Sequence, residues 1–169
     1  MATADRSAGA LDRRDEAPNV ELAEELVARE DKAGIAEVVA LVRSGTSRQR
    51  NDGMKVLYEI GARRPDSVGG YCPVFLEALA SSNNKQVWGA MAALDSVAEQ
   101  RADTLVAELP RIMAAADKGS VIAKDRCTSI SVKLARAGYA QRPCRSRSSG
   151  SRMRRPTSFP HMPRKRQAF

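Results

Sequence analysis

The sequence predicts an all-α fold, an α-solenoid of stacked antiparallel helix pairs, and three observations carry that prediction. Residues of matching type return every 37 positions: Pro73 and Pro110, Asp66 and Asp103, the apolar series Ile60, Val97 and Leu134, and the small series Gly61, Ala98 and Ala135. Between the breaks, apolar residues recur at three- and four-residue steps, the spacing of a helix with one buried face. Gly45, Pro65 and the Lys118–Gly119 pair fall where those stretches end. A repeat length between about 20 and 50 residues means that each unit buries its apolar face on its neighbours, as stacked helix pairs do.

Taken in order, residues 1–18 are polar, rich in small side chains, charged in both signs and without periodicity, which predicts a disordered leader. From Val20 the pattern becomes helical, with Leu22, Leu26 and Val27 inward and Glu21, Glu24, Glu25 and Arg29 outward. A second helix is expected over 34–43 on the stripe Ile35, Val38, Val39 and Val42, and Gly45 stops it. Thr46 or Ser47 caps a third over 48–64, where Met54, Leu57, Ile60 and Gly61 face inward and Pro65 ends the run. Residues 66–70 read as a turn. Pro73 then sits in the first turn of the next helix, where its missing N–H costs nothing, and Phe75, Leu76 and Leu79 point inward.

Asn83 and Asn84 break the chain before a helix over 85–101. Asp103 is expected to cap the following one, whose core is Leu105, Val106, Leu109, Ile112 and Met113, and a last helix covers 121–137. Each unit is thus an outer helix, a short Asp-containing turn and an inner helix that carries a proline near its start. Stepping the Pro73 helix back by 37 aligns Val38, Val39 and Val42 with Phe75, Leu76 and Leu79, so the first pair fits without its proline. The domain organisation is a leader over 1–18, a helical repeat domain over 19–140 and a disordered basic tail over 141–169.

Charge separates the tail from the rest. All 20 acidic residues lie at or before Asp125, while residues 141–169 hold 9 Arg and Lys and no acid. The remaining 19 basic and 20 acidic groups leave residues 1–140 at a net −1, against +8 for the whole chain. A nucleic-acid partner would therefore be held through the tail, by phosphate contacts that weaken steeply with salt. The tail also reads as an out-of-frame product. Helical patterning stops at Arg142, and Arg, Pro, Ser, Gly and Cys are what GC-rich coding DNA yields in the wrong phase. Codons built from the third base of each residue and the first two of the next allow Ala-Leu-Pro-Leu at Arg142 and Pro143, where the repeat calls for another inner helix. On that reading the chain is a truncated solenoid, and Ile130, Val132 and Leu134 on its last helix are poorly covered.

The stretch 50–139 resembles HEAT repeats. The pieces RNDGMKVLYEIGARRPD and NNKQVWGAMAALDSVAEQRAD look like first helices of the repeat, and CPVFLEAL and LPRIMAAA like second helices. The resemblance implies a solenoid whose concave face or inter-helix edges bind protein, or less often nucleic acid. One branch, the HEAT-like alkylpurine DNA glycosylases, acts on DNA with a catalytic acid and an aromatic cleft. Neither is placed in 19–140, which holds one Trp and no His.

The candidate sites are few. Trp88 aligns with Asn51 and Asp125, so repeat geometry does not demand a Trp there. It is read either as a partner anchor beside Lys85, since Trp is favoured in binding hot spots, or as filler between adjacent repeats. Lys85, Trp88 and Arg111 are the candidate partner-binding residues. Cys72 opens a helix with nothing basic beside it in sequence. Cys127 aligns with Gly53 and Ala90 at a position that takes small residues, so both cysteines read as structural. His161 lies in the tail, no Ser-His-Asp or Cys-His set can be assembled in the body, and Gly69–Gly70 is a lone pair without a phosphate-loop pattern. Three cysteines without CxxC spacing predict neither disulfides nor zinc. The expectation is a non-catalytic protein with no cofactor or metal, binding another protein. With no secretory signal and no apolar run of about 18 residues, it is expected in the cytoplasm.

Overall fold

Side chains cap the starts of four helices, at Asp31, Thr46, Asn83 and Ser120. The computed structural model describes residues 3–8, 10 and 16–139, and every regular element among them is helical. After a 3₁₀ turn at Thr3–Arg6 come α1 (Ala17–Ala28), α2 (Lys32–Ser44), α3 (Ser47–Arg63), α4 (Pro65–Val68), a 3₁₀ turn at Gly69–Tyr71 and α5 (Cys72–Ala78). The chain continues with α6 (Asn84–Val97), α7 (Ala102–Lys118) and α8 (Val121–Arg136). Thr46 caps α3 by accepting from Gln49 N–H at 3.3 Å, and the Gln49 side chain accepts from Thr46 N–H at 2.8 Å, a reciprocal box. Asn83 caps α6 and Ser120 caps α8 by a single bond each, accepting from Lys85 N–H at 3.0 Å and Ala123 N–H at 3.4 Å. Residues 46, 83 and 120 are separated by equal steps of 37.

The helices pack in a simple order. α1 lies against α3, α3 against α6 and α6 against α8, so these four form one row. α2 packs on α3, α5 on α6 and α7 on α8. The core is the seam between the row and these companions. Met54, Leu57 and Ile60 of α3, Phe75 of α5, Met91 and Leu94 of α6, Leu105 and Ile112 of α7, and Ile130 and Leu134 of α8 are fully buried in it. Two glycines let α3 and α6 approach. A Cβ on Gly61 would sit 2.3 Å from Ser96 Oγ, and one on Gly89 2.7 Å from Met54 Cγ.

Several expectations need correcting. Residues 66–70 are not an open turn: α4 and the 3₁₀ turn at Gly69–Tyr71 make a broken helix that runs into α5. Its counterpart 37 residues on is α7, which is continuous and carries Pro110 in its interior instead of at its start. Both segments hold a proline at matching positions, so proline is not what breaks the first. Gly69–Gly70 stands where α7 has Val106–Ala107, and two glycines cost a helix about 1 kcal/mol each. Asp66 and Asp103 do not cap; each lies in the first turn of its helix without a side-chain cap bond, where a carboxylate still favours the helix dipole.

The reading of residues 1–18 as a disordered leader does not extend to Thr3–Ala8. Ser7 and Ala8 are buried because Asn19, itself 1% exposed, accepts from Ala8 N–H at 2.8 Å and donates to Asp52 Oδ1 at 3.1 Å. Arg6 adds an ion pair to Glu25. Ile130 and Leu134 were expected to be poorly covered but are fully buried, since they face α6 and α7. Only Val132, between them and on the other side of α8, is 44% exposed, and with Val121 and Ile122 it makes α8 the one described element bearing large exposed apolar side chains. The tail 141–169, with Cys144 and His161, lies outside the described residues. Among those described, no helix is long and apolar enough to cross a membrane.

Urea unfolding followed by circular dichroism tests this hierarchy. Leu57→Ala should cost about 3 kcal/mol through the cavity it leaves, and Thr46→Ala about 1 kcal/mol through its lost cap. Equal losses would place the core elsewhere.

Candidate functional site

The row of helices carries two polar seams and two grooves. The first seam joins α3 to α6. Tyr58 and Trp88 meet with ring centroids 5.5 Å apart and planes tilted by 50°, and Lys55 Nζ stands 4.7 Å from the Tyr58 ring centre. Lys55 also pairs with Glu59 at 2.9 Å and Glu16 at 3.1 Å, while Glu59 reaches Arg63 at 2.5 Å and Arg63 reaches Glu24 at 2.8 Å. Burial works against the Lys55 charge, but contacts with Tyr58, Glu59 and Glu16 outweigh it and hold the ammonium well above its ordinary pKa. Burial pushes the Tyr58 hydroxyl up. Burial would also raise Glu59, yet hydrogen bonds from Lys55 and Arg63 bring it below its ordinary value.

The second seam joins α6 to α8 and centres on Asp95, which is 5% exposed. Its Oδ1 accepts from Ser129 Oγ at 2.7 Å and pairs with Lys133 Nζ at 2.9 Å; its Oδ2 accepts from Arg126 Nη1 at 3.0 Å. Lys133 also donates to the Asp95 carbonyl at 2.7 Å. Buried charges occur when partnered this fully, and three partners from one helix fix how α8 lies on α6. The sequence reading missed this cluster. A signal was present: Asp95 interrupts an apolar run, and Arg126, Ser129 and Lys133 follow one another at three- and four-residue steps on a single helical face.

The grooves lie where the companion helices meet the starts of the row helices. One, of about 580 Å³, is lined by Arg43, Arg50, Val74, Glu77 and Gln86 among others. The other, of about 280 Å³, is lined by Leu79, Val87, Arg111, Ala115 and Lys118 among others. Ala80 and Ser81 belong to both linings, so the two adjoin. Arg50 Nε is buried there without a hydrogen-bond partner.

The three expected partner-binding residues are therefore divided. Trp88 is half-buried between α3 and α6, its ring on Tyr58. Arg111 is exposed and lines the smaller groove, paired with Glu108 at 3.7 Å. Lys85 is exposed at the start of α6. Cys72 and Cys127 are buried; burial raises the Cys72 thiol, against a smaller opposing pull from Arg101, and so disfavours the thiolate. Among the described residues, no group of three His, Cys, Asp or Glu is placed to hold a metal ion.

Set against protein-family models, curated proteins and solved structures, the chain matches none of them.

Two measurements test the seams. A carboxyl whose pKa is lowered by folding adds stability above its unfolded value and loses that contribution as pH falls through the folded one. Wild type should therefore outlast Glu59→Gln in thermal melts at pH 7, and the gap should close below the ordinary glutamate value of 4.5. Asp95→Ala should cost about 2 kcal/mol, more than Arg126→Ala or Lys133→Ala alone, because each of those leaves Asp95 other partners. Losses near zero for all three variants in urea would show that the α6–α8 seam is held by packing alone.

Proposed function

We propose that this chain is a non-catalytic helical-repeat scaffold of the HEAT type, an α-solenoid that presents a surface to a protein partner in the cytoplasm. What supports this reading is the 37-residue spacing of the capping residues Thr46, Asn83 and Ser120. Capped helices begin at residues 47, 84 and 121, each packs on the one before, and each receives a companion helix on the same seam. Elements repeated at equal intervals build extended, shape-matched faces, and such faces bind partners without a compact motif. The near-neutral charge of residues 1–140 suits a protein surface. The Cys72 thiol, buried and raised, is a poor nucleophile, which favours binding over covalent chemistry.

The competing reading is a nucleic-acid binder gripping phosphates through the nine basic residues of 141–169. Deletion of that segment separates the two. Under the scaffold reading, the full chain and residues 1–140 retain the same protein from cell extract in affinity capture, and neither shows salt-dependent retention of DNA or RNA. Nucleic-acid binding that vanishes with the tail, together with no protein captured by residues 1–140, would overturn it.

A further inference from the structure

The two ends of the helix stack differ in charge. At one end lie the α2–α3, α5–α6 and α7–α8 connections. Asn83 Nδ2 donates to Asn51 Oδ1 at 3.0 Å, which places the starts of α6 and α3 side by side, and Gly119 shares a groove lining with Asn84. Residues 43–50, 80–86 and 117–124, which make this end, contain six Arg or Lys and one acid, Asp117. The other end is gathered around a cavity lined by Glu30, Lys32, Arg64, Asp66 and Arg101 among others. Its residues 28–32, 62–68 and 97–104 contain five basic and five acidic groups, which balance. Within a chain whose first 140 residues are nearly neutral, positive charge has therefore been collected at one end.

That end also holds the adjoining grooves. Their floor is apolar, with Val42, Val74, Leu79, Val87 and Ala115 in the lining, and Arg43, Arg50, Arg111 and Lys118 bring the charge. Two carboxylates partly answer it, Glu77 at 3.9 Å from Arg43 and Glu108 at 3.7 Å from Arg111. No Phe, Tyr or Trp lines either groove. Single-stranded nucleic acid is held by basic grooves in which bases stack on aromatic rings, so this lining lacks half of what such a strand uses. An extended peptide alternates its side chains between two faces, and one that alternates apolar and acidic residues sets the first on the floor and the second against the guanidinium groups.

Resting on the scaffold reading above, we infer that the groove along the α2–α3, α5–α6 and α7–α8 end receives an extended acidic–apolar peptide segment of the protein partner.

Fluorescence anisotropy with the full chain tests this, using a labelled peptide of alternating Glu and Leu. The expected result is saturable binding that weakens about tenfold in Arg43→Glu/Arg111→Glu and holds within about twofold in Arg64→Glu at the balanced end. Arg43, Arg111 and Arg64 are all about half exposed, so their reversal spares the core. Lys118→Glu provides a second variant should the double one fail to fold, with weakening of about threefold expected. Equal binding of an alternating Lys-Leu peptide would overturn the inference by showing apolar capture alone. So would indifference to both groove variants, or an oligothymidylate that binds through the same arginines. If the partner captured in the preceding experiment is held equally by wild type and Arg43→Glu/Arg111→Glu, this groove assignment fails and the scaffold reading stands. If nothing is captured, the scaffold reading itself fails.

Discussion

The contact between α3 and α6 is the one on which the other elements depend. Each of these helices is covered from three directions: α3 by α1, α2 and α6, and α6 by α3, α5 and α8. A helix of 14 to 17 residues, as these are, is marginal alone in water, so its persistence comes from what covers its apolar face. Met54, Leu57 and Ile60 meet Met91 and Leu94 across the core, and Gly61 and Gly89 bring the two backbones close enough for that to happen. Loss of this contact would leave two separate helix groups, each with half a core.

Around that seam the polar groups decide register instead of depth. The hydrophobic attraction is nondirectional, so polar pairs at fixed positions add specificity to the packing. Tyr58 against Trp88 on one side of α6, and Asp95 against Arg126, Ser129 and Lys133 on the other, tie specific positions together. The two seams differ in chemistry, and Asp95 lies 37 residues beyond Tyr58 in the sequence. The matching position on α8 is Val132, which is 44% exposed. Tyr58 thus faces a ring, Asp95 a cluster of cations and Val132 solvent, each according to the neighbour that is present.

The pairing of groove and charge follows from connectivity. Short connections put the C-termini of companion helices beside the N-termini of row helices, where the opposite helix dipoles offset and the Arg and Lys side chains supply the positive charge. Arg43 and Lys118 belong to the first group and Arg48, Lys85 and Lys124 to the second. Nothing in the local sequence around Arg43 announces Arg111 as its neighbour along a groove. They are brought there only because α2, α5 and α7 all dock on the same row.

The sequence by itself determined the helical class, most helix boundaries to within a few residues, and the inward faces. Val38, Val39, Val42, Phe75, Leu76 and Leu79 are all buried as their spacing predicted. These features were legible because helix periodicity and capping are local: Thr46, Asn83 and Ser120 act on backbone only a few residues away. Tertiary structure alone decided that Asn19 would order Ala8 and that Asp95 would be buried among cations from α8. It also separated Trp88 from Arg111, placing one between two helices and the other in a groove. Each of these outcomes joins residues about 10 to 40 positions apart, and periodicity specifies which face of a helix is buried without specifying what lies across from it.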